Sequence, residues 1–180
     1  IEIVGILIFS LGILLLIALA SYTPTDPNFI FPENTEIKNI LGFRGSYVSD
    51  LFVQSIGSIA YLVPITYIFT GANIFRKKEL FLIIQNTFFI ILYCFSGSIF
   101  FHYYYKETFN FHINGNGGFI GNYFNELFVG SIINLNENIF YYSLILLTIF
   151  IFLISINFNI KNFINFIKKI IQSFSGVNKK

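Results

Sequence analysis

Few residues in this sequence could do chemistry, and their spacing argues against most of what they could do. His102 and His112, with Glu107 between them, could in principle hold a metal ion, but they are separated by a Tyr-rich run rather than by the short fixed spacings of zinc sites. The glycines of 115–121, G-N-G-G-F-I-G, invite comparison with phosphate loops and fail it. A P-loop places Lys-Ser or Lys-Thr after its last glycine, and a dinucleotide fingerprint needs a strand before it. The single cysteine, Cys94, lies in an apolar run, which excludes an intrachain disulfide and reads as a small core filler. Asp50 remains as a possible ion or proton site. No other acid or base inside the apolar spans stands ready as its partner, and an acid in the first turn of a helix beginning near 51 needs no further role. No catalytic, cofactor-binding or metal-ligating residue is expected.

The element that must position Asp50 is the stretch 39–64, N-I-L-G-F-R-G-S-Y-V-S-D-L-F-V-Q-S-I-G-S-I-A-Y-L-V-P, which joins a glycine-punctuated loop to an apolar span. On one continuous helix Asp50, Gln54, Gly57, Tyr61 and Pro64 fall on a single stripe. Polar residues in hydrocarbon are costly unless they face protein or water, so this helix is expected inside a bundle. Gly42 and Gly45 bracket Arg44 in a turn before it, and Ser46 or Ser49 can cap it.

Composition fixes the class. Apolar residues make up 55% of the 180, charged residues 11%, and mean hydropathy is +0.72, against about 25% charged residues in soluble domains. Four windows, 3–21, 51–75, 80–105 and 138–160, are long and apolar enough to cross a bilayer. The expected fold is an all-α integral membrane bundle of four transmembrane helices over 1–160, followed by a basic amphipathic helix and the start of a linker over 161–180. Signal-peptide cleavage after Ala18-Leu19-Ala20 is the rival for the first window, but the run is long for a signal core and carries no basic lead. Gly5 and Gly12 suit close approach of a neighbouring helix.

Charge gives the orientation. The turn Arg76-Lys77-Lys78-Glu79 and the tail, with Lys161, Lys168, Lys169, Lys179 and Lys180 and no acid, are basic; the loops holding Asp26, Glu33, Glu36 and Asp50, and Glu107, Glu126 and Glu137, are acidic. The positive-inside bias then predicts N-in and C-in, with both acidic loops outside. Tyrosines 22, 47, 103, 104, 105, 141 and 142 cluster at the expected outer interface. Residues 120–132 repeat apolar positions at helical spacing opposite Asn122, Asn125 and Glu126, which predicts an amphipathic or shallow re-entrant helix on the outer face. Asn86 and its neighbours Gln85 and Thr87 are expected to hydrogen-bond across helices, and the fourth window, nearly devoid of polar residues, to be the most lipid-exposed. In the tail the lysines oppose an Ile/Phe stripe, so Lys161, Lys168 and Lys169 are expected on the inner leaflet rather than on nucleic acid.

The ordered set S-Y-T-P-T-D-P-N after a first span, the 39–64 stretch, and G-G-F-I-G between the third and fourth spans resembles the N-terminal four-helix membrane domain of the FtsK/SpoIIIE DNA translocases. The matching positions are Tyr22, Pro24, Asp26, Pro27, Gly42, Gly45, Asp50, Gly57, Pro64, Gly117, Gly118 and Gly121. The resemblance implies a membrane anchor at the division septum acting in chromosome segregation, hexamers, contact with other division proteins, and ATP, Mg2+ and DNA only at a motor domain absent from these residues. A small transporter or channel subunit using the polar stripe of the second helix is the competing class, because such a stripe suits a pathway as well as an interface. Paired intramembrane charges would favour it, and the sequence has none.

Overall fold

The computed structural model describes residues 1–27, 36–105, 114–124, 126–127, 136–159 and 168. Among these there are helices and no strand. The order is α1 (Glu2–Ala20), α2 (Gly42–Ile56), a 3-10 turn (Gly57–Tyr61), α3 (Leu62–Lys77), α4 (Phe81–Tyr105), α5 (Gly118–Phe124) and α6 (Glu137–Ser155). Taken with α2 to α3 as one interrupted span, Gly42–Lys77, four helices have the length and apolarity to cross a membrane. The expected four-span, all-α architecture is what the chain adopts.

Small residues decide which helices touch. α1 is apolar on every side, and the residues it buries are Gly5, Gly12, Ala18 and Leu19. A Cβ on Gly5 would come within 2.9 Å of the Gly71 carbonyl, and one on Gly12 within 2.8 Å of the Ile68 amide, so α1 lies directly on the α3 backbone. Gly71, which returns the contact against Phe9 and Gly5, was not foreseen as part of this seam.

α4 is clamped to α3 and α6 by a buried polar chain. Asn157 Nδ2 donates to Asn86 Oδ1 at 3.1 Å, and Asn86 Nδ2 donates to Thr70 Oγ1 at 2.8 Å. The Thr66 hydroxyl bonds both Tyr93 at 3.2 Å and Ser155 at 3.0 Å, while Thr148 reaches Ser96 at 2.9 Å. Each such bond contributes about 0.6 to 2 kcal/mol between membrane helices. Asn86 therefore acts across helices as expected, and Cys94 is buried in the apolar core beside Tyr93, Ile59 and Val63. α6 buries only Thr148 and Ser155 along its length, which makes it the most lipid-exposed span, as its sequence predicts.

The turn between α3 and α4 is short. Lys78 closes it in the left-handed conformation and pairs with Glu2 at 2.9 Å, placing the start of α1 at this end of the bundle. The opposite end carries the loop connecting α1 to α2.

One expectation needs correction. The second span is not one helix from 51 to 75: α2 starts at Gly42, its first turn takes in Gly45, and the helix stops at Ile56. Gly57 has φ +70° and ψ −148°, a conformation costly for any residue with a Cβ, and Pro64 sits in the first turn of α3, where its missing N–H costs no hydrogen bond. Tyr61 and Pro64 thus belong to other elements than Asp50 and Gln54, and the single stripe does not exist. The short helix α5 docks through Gly118 and Gly121 and leaves Phe119 and Tyr123 exposed. Its buried face is glycine because its neighbour is polypeptide backbone. The tail helix, with Lys161 and Lys169, lies outside the described residues, as do His112, Glu107 and the end of the 120–132 stretch; Lys168 is exposed.

Candidate functional site

At the loop end, the interruption in the second span creates a problem that neighbouring residues solve. Breaking a helix at Gly57 releases backbone donors and acceptors at a depth where each unsatisfied group costs several kcal/mol. Ser98 Oγ of α4 donates to the Ile56 carbonyl at 2.9 Å, and Ser58 N–H donates to the Asn116 carbonyl at 2.8 Å. Asn114 Nδ2 donates to the Gln54 carbonyl at 3.2 Å, while Gln54 Oε1 accepts from the Asn114 amide at 3.4 Å. The segment 114–121 is therefore a plug set into the break and held there from both sides.

The plug enters because it is made of glycine. A Cβ on Gly57 would collide with the Asn116 carbonyl, and one on Gly118 would lie 2.5 Å from Gly57 N. Gly118 also has φ +62°. Gly117 and Gly121 press against Ser98 and His102, a side chain that is 5% exposed. Asn116, fully buried, donates through Nδ2 to the Tyr105 carbonyl. Gly57, Gly117, Gly118 and Gly121, separated by some sixty residues of sequence, thus form one seam, and their role is close approach rather than phosphate binding.

Asp50 lies beside this seam. It is 4% exposed, in the third turn of α2 rather than the first, because the helix begins nine residues earlier than expected. Its Oδ1 accepts from the Tyr22 hydroxyl at 3.1 Å and from Gln54 Nε2 at 3.4 Å. Burial first, and then the Asp50 charge, push the Tyr22 phenol above its ordinary value, so Tyr22 stays a donor. Tyr22, Asp50 and Gln54 thereby link the end of α1, α2 and the plug into one chain of hydrogen bonds.

The Pro24-Thr25-Asp26-Pro27 turn is more than a helix stop. Asp26 is 1% exposed, and its two carboxylate oxygens accept from the backbone amides of Lys38 at 3.0 Å and Asn39 at 2.8 Å. Pro27 is buried, and its carbonyl accepts from Ser46 Oγ at 2.7 Å. Asn39 completes the fastening: Nδ2 donates to the Ala18 carbonyl at 2.8 Å and the Ser21 carbonyl at 3.3 Å, and Oδ1 accepts from Leu41 N at 3.1 Å. Gly45 leaves room for the Asn39 side chain. Neither Ser46 nor Ser49 caps α2; Ser49 Oγ bonds back to the Ser46 carbonyl. Gly42 begins α2, its amide donating to the Asn39 carbonyl at 2.8 Å.

Of the expected site residues, the structure brings together Tyr22, Asp50, Gln54, Gly57, Gly117, Gly118 and Gly121, and joins Pro24, Asp26, Pro27, Gly42 and Gly45 in the adjoining loop. Tyr61 stands apart, 38% exposed, and Pro64 packs beneath Gly12 of α1. Sequence reasoning missed Asn39, Ser98, Asn114 and Asn116. Among the described residues no group of three His, Cys, Asp or Glu side chains could hold a metal ion.

This geometry defines a class: a multi-pass membrane domain whose second span is broken and sealed by a glycine-rich segment between its third and fourth spans. Residues 1–170 match the model of the 4TM region of DNA translocase FtsK/SpoIIIE, and the chain belongs to that family. It is similar to the DNA translocase FtsK of Azospirillum brasilense, 30% identical over 80 residues that cover 43% of this chain and 13% of that protein. The DNA translocase FtsK of Rickettsia bellii is 32% identical over 68 residues, 38% of this chain and 9% of that protein. The chain thus spans only a small part of these relatives. No solved structure matches it.

Proposed function

We propose that the chain is the membrane anchor and septum-targeting domain of a DNA translocase acting in cell division and chromosome segregation. It sits in the inner membrane with both ends of the domain in the cytoplasm, assembles as a homo-oligomer, a hexamer by family resemblance, and contacts other membrane proteins of division. ATP, Mg2+ and DNA belong to a motor domain outside the matched residues, and the 180 residues themselves do no catalysis. The observation that carries this reading is the match of 1–170 to the membrane region of the translocase family. Two features support it. Asp50 and Gln54 are engaged by Tyr22 and the plug, and Thr66 and Thr70 by α4 and the end of α6, which leaves little of the second span to line a pathway. The Glu2–Lys78 pair sets the start of α1 at the basic turn, in keeping with the positive-inside orientation.

The test is localisation. With a fluorescent protein fused at Lys180, the unaltered chain should gather at the division site in living cells, whereas uniform distribution around the envelope would sink the septal reading. Exchanging Lys161, Lys168 and Lys169 for Gln should leave septal location largely intact, since lysine attraction to anionic lipid is nonspecific and contributes only about 1 kcal/mol each.

A further inference from the structure

Between α1 and α2, with Tyr67 of α3 and Ile83 and Thr87 of α4 completing its wall, runs an apolar groove of about 640 Å3. Phe52 and Tyr67 contribute to its floor, and Ile8, Ala18 and Thr87 to its length. From Ile8 to Ala18 it follows α1 for about 15 Å, ten residues at 1.5 Å each, which is the depth of one leaflet of hydrocarbon. At the loop end of this otherwise carbon-lined groove stands Arg44, exposed and, among the described residues, paired with no carboxylate. One extended hydrocarbon chain matches this length, and a guanidinium at its end matches the oxygens of a phosphate.

We propose that this groove holds one acyl chain of a glycerophospholipid from the loop-end leaflet, with the lipid phosphate on the Arg44 guanidinium. Bound there, the lipid lies along α1 and α2 and covers Tyr67, Ile83 and Thr87. The occupant is a lipid rather than a partner helix or a second copy, because an apolar lining that ends on a single cation is the pattern of an acyl chain beneath a phosphate.

The chain contains no tryptophan, so Tyr67→Trp supplies one fluorophore inside the groove and Leu146→Trp, on the 64% exposed surface of α6, supplies a control. The purified 180-residue chain in detergent is titrated with dibrominated phosphatidylglycerol, and with a dibrominated diacylglycerol of the same chains. Quenching of the groove tryptophan should saturate near one phospholipid per chain, while the control is quenched only in proportion to lipid in the micelle. Arg44→Gln should raise the half-quenching concentration about tenfold, the scale of one charge-assisted hydrogen-bonded contact, and diacylglycerol should bind about as weakly. Val48→Phe, which narrows the groove without touching the cation, should abolish saturable quenching. Identical curves at the two tryptophans, or equal binding of phospholipid with and without Arg44, would overturn the proposal.

Discussion

Among the described residues, Asp26 and Asp50 are the two buried carboxylates of the loop end, and they differ in what they hold. Asp26 accepts two backbone amides of the loop that returns to α2, so Asp26→Ala should strand both donors at a cost of about 2 to 5 kcal/mol, read as a lower melting temperature in detergent and faster hydrogen exchange at Lys38 and Asn39. Asp50 instead collects side chains, and Asp50→Leu should cost about 1 to 3 kcal/mol by leaving the Tyr22 hydroxyl and Gln54 amide without their acceptor. Both aspartates were legible as residues to watch, but the sequence placed Asp50 at a helix start. That error followed from beginning the helix where the unbroken apolar run begins; Gly42 to Ser49 is polar enough to read as loop. Asn39 left no signal that could raise it above the many other asparagines, because its importance lies in reaching the carbonyls at the end of α1, a contact of tertiary origin.

At the level of elements, the break at Gly57 is the feature that organises the rest. A glycine followed seven residues later by proline inside one apolar window carries the message that two helices meet there, since proline is tolerated in a first turn and disfavoured in an interior. Reading the window as one continuous helix missed this because hydropathy does not register a change of backbone direction. The plug was likewise seen as a glycine-rich loop and an amphipathic helix, and periodicity carried no sign that its glycines dock on protein; in a membrane the apolar stripe can face lipid while glycines face protein. Gly57→Ala should be among the most damaging single substitutions in the domain, losing about 3 kcal/mol or more through backbone strain and displacement of the Asn116 carbonyl, with thermal unfolding as the readout. Gly12→Leu should separate α1 from α3, and a disulfide engineered between those helices should then form poorly. By contrast Tyr61→Phe, at an exposed position, should change stability by no more than about 0.5 kcal/mol.

For the whole molecule, composition gave the membrane class, four apolar windows gave the spans, and the ordered motifs pointed to its family before any contact was known. Orientation rests on loop charge. In a Cys94→Ser background, a cysteine replacing the exposed Glu36 should react with an impermeant thiol reagent in intact cells, and one replacing the exposed Lys77 should not. The same polar residues that suggested a pathway from sequence are, in the folded domain, partners of the plug and the loop. An anchor built this way should be closed. The decisive measurement is flux through proteoliposomes containing the purified 180 residues and an internal pH- or ion-sensitive dye. Flux should equal that of protein-free liposomes, and Asp50→Asn should leave it unchanged; flux above that background which Asp50→Asn abolishes would contradict the account and make the second span a pathway.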